Sequence, residues 1–288
     1  MKSLIVFGFL AVLTPSWAEE PETGEQAAEQ ALQATVPATA GGAGQLMGEL
    51  QLRPSFGYGI GQTKSENIAT LGVKLGADTS LDYTQYFNMN VSDPTGSTSG
   101  GLVGDDGFLR FRLRNVWKNV AGDLSLDYES RLYMPTNYAR IPSGFQTMWR
   151  NYVSLTKKIT SKVAITVQEI PIFYGFNRAG DTGDGIRRPS SSTVFENRVY
   201  IIPSWDITSK LNFSLPILLG MSFKHSIPGA LDRSYLAMIW PELMYQVGPK
   251  TSIGLSYYSE SFVNAQNVVD VSAGLATGTG QLVFAQTL

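Results

Sequence analysis

The chain has 288 residues, a formal net charge of −2, only 16% charged side chains and no cysteine. So neutral a balance gives a nucleic-acid partner no electrostatic footing, and the absence of thiols removes disulfides, thiolate metal sites and a lipidated N-terminal cysteine together. With a mean hydropathy almost at zero, the composition suits a protein with two wet ends and one greasy band.

In chain order, Lys2, the apolar run Leu4 to Leu13, Pro15 and the small-x-small triplet Ser16-Trp17-Ala18 read as a secretory signal cleaved near Ala18. The run is about half the length of a bilayer-spanning helix, so residues 1–18 are expected to export the chain. Residues 19–47 are acidic, then rich in Ala, Thr and Gly, with no apolar period. They are expected to form a disordered segment. No later apolar run is long enough for a membrane helix, the densest being Leu215 to Met221.

From Gly48 a period of two takes over, the signature of half-buried strands. Leu50, Leu52 and Phe56 share one parity, followed by Leu71, Val73 and Leu75, then by Tyr83, Phe87, Met89 and Val91. The stretch Gly107 to Thr136 is the most explicit. Arg110, Arg112 and Arg114 alternate with Leu109, Phe111 and Leu113; after a tight break at Asn119 to Gly122, Leu124, Leu126, Tyr128 and Leu132 alternate with Asp127, Glu129, Arg131 and Tyr133. Symmetric pairing about Val120-Ala121 sets Arg114 opposite Asp127, Arg112 opposite Glu129 and Arg110 opposite Arg131, all on the polar face. The last of these is a like-charge pair with no acid between its members, which makes it a candidate anion site.

Further alternating segments run from Thr147 to Lys157, Val163 to Tyr174 and Val194 to Ser204. Lys210 to Phe223 is expected to be one unbroken strand, followed by Tyr235 to Val247, Ser252 to Phe262 and, beyond an irregular piece, Gly280 to Leu288. Long polar connections, among them Ser92 to Asp106 and Gly175 to Thr193, alternate with tight turns such as Lys157 to Ser161 and Asp206 to Ser209. Trp117, Trp205 and Tyr245 fall at the tight-turn ends; Tyr133, Trp149, Phe173, Phe223 and Tyr235 fall near the long loops.

Twelve strands of membrane-crossing length, an even count, one rim of short turns and two aromatic belts predict an all-β fold, a twelve-stranded antiparallel transmembrane up-and-down β-barrel over residues 48–288. Over that range the chain resembles the bacterial outer-membrane β-barrel proteins, and the closing GQLVFAQTL resembles the C-terminal strand such proteins present to the barrel-assembly machinery, although it ends in Leu288 where Phe is usual. The resemblance implies a Gram-negative outer-membrane location, contact with membrane lipid and lipopolysaccharide, and a periplasmic position for residues 19–47.

With the fatty parity facing lipid, the polar parity lines the lumen. Arg110, Arg112, Arg114, Arg131, Arg150 and Arg198, with Arg53 and Lys74, face the counter-charges Asp127, Glu129, Glu196 and Glu242, with Asp82 and Glu260. Five of these arginines fall on three consecutive strands, and a basic stripe on a pore wall concentrates anions and offers planar forks to carboxylate or phosphate. In this the chain resembles the small twelve-stranded porins for acidic saccharides, which implies a narrow channel for small anionic hydrophilic solutes. A filled, non-conducting scaffold or adhesin barrel and an export pore gated by residues 19–47 are the alternatives.

No catalytic, cofactor or metal site is expected. The one histidine, His225, falls in a predicted loop beside Ser226 of opposite parity. Asp181-Thr182-Gly183-Asp184-Gly185 is half a calcium loop without its closing acid, and Gly57 to Gly61 is too short for a dinucleotide fingerprint.

Overall fold

Leu50 and Leu52 of the first strand point outward and Gln51 and Arg53 are buried behind them, as a period of two requires when one face is apolar. The computed structural model describes residues 43–57, 63–92, 102–104, 106–119, 122–136, 145–176, 192–225, 231–259, 261–263, 268–276 and 278–287. The expected signal, residues 19–42, Glu260, the Asp181 to Gly185 motif and the middles of the long loops lie outside these residues.

The strands are β1 (Leu46–Gly57), β2 (Thr63–Lys74), β3 (Thr79–Ser92), β4 (Leu102–Gly104), β5 (Gly107–Asn119), β6 (Leu124–Met134), β7 (Phe145–Lys158) and β8 (Val163–Phe176). They continue as β9 (Ser192–Asp206), β10 (Leu211–Ser214), β11 (Ile217–His225), β12 (Leu231–Ile239), β13 (Glu242–Gly248), β14 (Thr251–Tyr258) and β15 (Thr279–Thr287). Neighbours pair antiparallel, and β15 pairs with β14 on one side and with β1 on the other, which closes the sheet. Closure leaves no edge whose backbone groups would need water. Among the described residues β4 is a short arm against β3, and β10 with β11 and β12 with β13 are each two halves of one crossing, so the barrel has twelve crossings.

Several details differ from expectation. β1 begins at Leu46, two residues early, and the backbone of His225 belongs to β11 instead of a loop. The run Leu211 to Phe223 is interrupted at Leu215-Pro216, and the next crossing at Trp240-Pro241. Proline has no N–H to donate, yet the wall holds because the carbonyls still accept: Trp240 N donates to Pro216 O at 3.1 Å and Tyr257 N to Pro241 O at 3.0 Å. Between β14 and β15 the chain also forms one short helix, α1 (Val271–Ala276), tied down by the Tyr257 hydroxyl donating to Leu275 O.

One rim carries the tight turns. In two of them the same tetrapeptide, Ile-Thr-Ser-Lys, recurs at 159–162 and 207–210, and the threonine hydroxyl caps the turn. Thr160 Oγ1 accepts from Val163 N at 3.0 Å, and Thr208 Oγ1 from Leu211 N at 3.0 Å. Trp117, Trp205 and Tyr245 are exposed on the outer wall near this rim. Toward the other rim an outward ladder of rings crosses four crossings, Trp149 to Phe173 at 5.9 Å, Phe173 to Phe195 at 5.2 Å and Phe195 to Phe223 at 5.8 Å. Tyr133, expected in that belt, is instead fully buried inside the barrel, its ring 4.6 Å from that of Phe108. Its parity is that of Arg131, so it could not reach lipid.

Candidate functional site

The interior is not uniformly wet. Tyr86, Phe108, Tyr133, Met148, Tyr152, Ile170, Ile172, Tyr200, Leu218, Met238 and Trp240 form one cluster of buried side chains within the barrel. Arginines are threaded through it: Arg53, Arg110, Arg131, Arg150 and Arg198 are all buried. Below the cluster, toward the tight-turn rim, the lumen opens into a cavity of about 620 Å³. Arg112, Arg114, Asp127, Glu129 and Arg131 line it together with Ser154, Thr156 and Gln168.

The register across β5 and β6 is as expected at the upper end, with Arg110 opposite Arg131 and Arg112 opposite Glu129. The charge pairing is different. Asp82 of β3, fully buried, accepts from Arg110 Nε at 2.7 Å and from Arg112 Nη2 at 2.8 Å. Gly72 stands directly opposite Asp82, and a Cβ there would lie 2.3 Å from the aspartate's own Cβ. Glu129 is bound by Arg131 two residues along its own strand, where period two puts both on one face. Arg110 and Arg131 therefore each have a carboxylate, and the Phe108 ring lies under both, 5.9 Å from Arg110 Cζ and 4.9 Å from Arg131 Cζ. This corrects the expectation of an unneutralised pair.

Arg114 does not pair with Asp127. Between Leu113↔Tyr128 and Trp117↔Leu126, three residues of β5 oppose Asp127 alone. This bulge places Asn115 at φ 52°, a left-handed conformation that asparagine tolerates. The Asp127 carboxylate accepts from Asn115 N at 2.6 Å, and Asn115 Nδ2 donates to Asp78 Oδ1 at 2.8 Å. Because the bulge adds two residues, parity is kept and Trp117 still faces outward.

On β9, Glu196 accepts from Arg198 Nε at 2.5 Å and from the Tyr174 hydroxyl at 2.9 Å. Gly220 stands opposite Arg198, and a Cβ there would meet the Leu236 Cβ at 3.3 Å. Arg150 makes no such pair. Its cross-strand neighbour is Arg131, its Nε and Nη2 point at the Met148 thioether at 3.3 and 3.2 Å, and its Cζ lies 4.8 Å from the Tyr133 ring centroid. Its Nη1 has no hydrogen-bond partner, and no carboxylate contacts it among the described residues. Glu242 is its counterpart in sign, a buried carboxylate with both oxygens unpartnered. Asp82 is the residue whose role sequence pairing missed, because the partner strand it serves follows a long loop.

No protein-family model and no curated protein matches the sequence. Among solved structures, the chain is similar to an outer membrane channel from Pseudomonas putida F1 (12% identity, 88% of this chain and 99% of that one, TM-score 0.57). It is also similar to the NanC porin (10% identity, 83% and 98%, TM-score 0.50). At such identities the likeness is one of architecture, and the chain has the porin-like fold of the outer-membrane β-barrels.

Proposed function

We propose that the protein is an outer-membrane channel, exported by residues 1–18, that passes small hydrophilic solutes with a preference for anions. The observation that carries this reading is Arg150, a guanidinium buried inside the barrel without a carboxylate. A buried charge is costly unless paired, and Arg150 touches no acid among the described residues, Glu196 acting on it only from beyond ion-pair distance, so its guanidinium is open to a solute anion. Arg131 opposite it adds to the local field, and Arg112 and Arg114 line the cavity that Arg131 also borders. The reading gives the protein lipid, lipopolysaccharide, the barrel-assembly machinery and small anionic solutes as partners.

The experiment is a planar-bilayer recording in a salt gradient. Wild-type protein is expected to show a reversal potential of anion-selective sign, and Arg150→Gln to move it toward zero or beyond. An unshifted potential in a conducting Arg150→Gln variant overturns the anion preference. The buried cluster of aromatic and aliphatic side chains within the barrel favours a second reading, a non-conducting scaffold. Absence of any conductance from correctly folded protein would decide for it.

A further inference from the structure

One row of register partners crosses four neighbouring strands on the inner face: Ser214 of β10, Glu242 of β13, Ser256 of β14 and Gln281 of β15. All four are buried, with relative exposures of 1%, 1%, 4% and 0%. All four also hold unsatisfied polar atoms. Ser214 Oγ, both Glu242 carboxylate oxygens, Ser256 Oγ and Gln281 Oε1 have no hydrogen-bond partner. The other end of the Gln281 amide is engaged, its Nε2 donating to Glu66 Oε2 at 2.8 Å, which assigns the free end as the oxygen.

The donor and acceptor count decides what fits. Two serine hydroxyls can supply two donors at most, whereas a carboxylate has about four acceptor sites and the amide oxygen two more. The deficit is in N–H or O–H donors, and the charge to be matched is negative. Arg53 of β1 is the cation whose field reaches Glu242, but it stands beyond hydrogen-bond distance of the carboxylate. Buried polar groups are normally satisfied, so a row of five orphan atoms centred on a carboxylate describes a missing partner. A primary ammonium meets the requirement with three donors and no acceptor. Access is from below, because Met244, the next inward residue on the same strand, already borders the large cavity.

We propose that Ser214, Glu242, Ser256 and Gln281 form a binding site for the primary ammonium group of a small solute. This deepens the channel reading, since a barrel with an unpaired Arg150 on one strand and an unpaired Glu242 on another is equipped for solutes that carry an amine as well as an acid. It does not depend on Arg150 for its own test.

The test uses the full chain folded in detergent micelles, with methylammonium chloride as probe, tetramethylammonium chloride as a cation lacking N–H donors, and saturation-transfer NMR as readout. Wild-type protein is expected to bind methylammonium and to discriminate against tetramethylammonium. Glu242→Gln should weaken methylammonium binding by about tenfold or more, the loss expected for a charged hydrogen-bond partner. Ser256→Ala, which keeps the carboxylate and guards against a folding defect in the first variant, should weaken it by about threefold or more. Arg150→Gln should leave it unchanged while altering reversal potential, which separates this site from the anion site. Equal binding of the two cations, no binding to wild type, or unchanged binding in either Glu242→Gln or Ser256→Ala overturns the proposal.

Discussion

Arg110 and Arg131 face each other across β5 and β6, and the ring of Phe108 lies within 5.9 Å of the one guanidinium carbon and 4.9 Å of the other. Two like charges in register are unfavourable by themselves. Here each is held by its own carboxylate, Asp82 or Glu129, and the π face between them offers a further attraction. Phe108→Leu keeps most of the apolar volume and removes that face, so we expect a loss of about 1 to 2 kcal/mol. Urea unfolding from lipid vesicles would measure it, and an unchanged midpoint would show that the ring only fills space.

Asp82 serves two arginines, so its neutralisation should cost more than that of any other interior acid. Asp82→Asn leaves Arg110 and Arg112 without the carboxylate they share, a loss of about 3 to 5 kcal/mol by analogy with other broken buried pairs. Glu129→Gln breaks one ion pair, that with Arg131, which keeps the Phe108 and Tyr152 rings. We expect Asp82→Asn to be the more destabilising by urea unfolding and, where protein folds, the more anion-selective. The reverse order would contradict the shared-carboxylate arrangement.

The outer band makes its own claim. Leu219 of β11 is 51% exposed on the outer wall, whereas its neighbour Leu218 is 1% exposed within. Arginine on the lipid face costs about 2 to 4 kcal/mol near the bilayer midplane. Leu219→Arg should lose stability in that range when unfolded from vesicles, and Leu219→Phe should not. Equal stability of the two would argue that no hydrocarbon covers this strand.

What the sequence made legible followed from short-range rules. The inward and outward parities of β1 through β7 were readable because side chains alternate and one face is apolar, and the β5 and β6 register was readable because a tight turn joins them. The Arg131 to Glu129 and Arg198 to Glu196 pairs also had a signal, Glu-x-Arg along one strand. The Asp82 to Arg110 and Arg112 bridge did not, since residues 93–106 intervene and their length does not fix the β3 and β5 register. The buried inner cluster escaped because Tyr, Met and Ile on the polar parity, such as Tyr152 and Ile170, are spread over several strands, and nothing of short range in the sequence says that they meet across the lumen. Pro216 and Pro241 passed as strand residues because the parity on either side of them is continuous. The helix α1 is too short for a 3.6-residue period to register.

Asp127 is the residue whose expected and observed roles differ most, and two substitutions separate them. As a lumen counter-charge to Arg114 it would matter for its negative charge, and Asn and Ala would be equally damaging. In the bulge it matters as an acceptor, taking the Asn115 N–H at 2.6 Å where β5 carries extra residues. Asparagine keeps an oxygen at that position and alanine does not. Asp127→Asn should therefore stay within about 0.5 kcal/mol of wild type, while Asp127→Ala loses the hydrogen bond to an exposed backbone donor and should lose about 0.5 to 1.5 kcal/mol. The strain of a left-handed Asn115 adds a second check, because Asn115→Gly adopts φ 52° without cost and should soften the Asp127→Ala defect. Urea midpoints of the four proteins and the double variant would measure this. Equal losses in Asp127→Asn and Asp127→Ala, with a matching shift in ion selectivity, would restore the pairing with Arg114 and remove the bulge from the account.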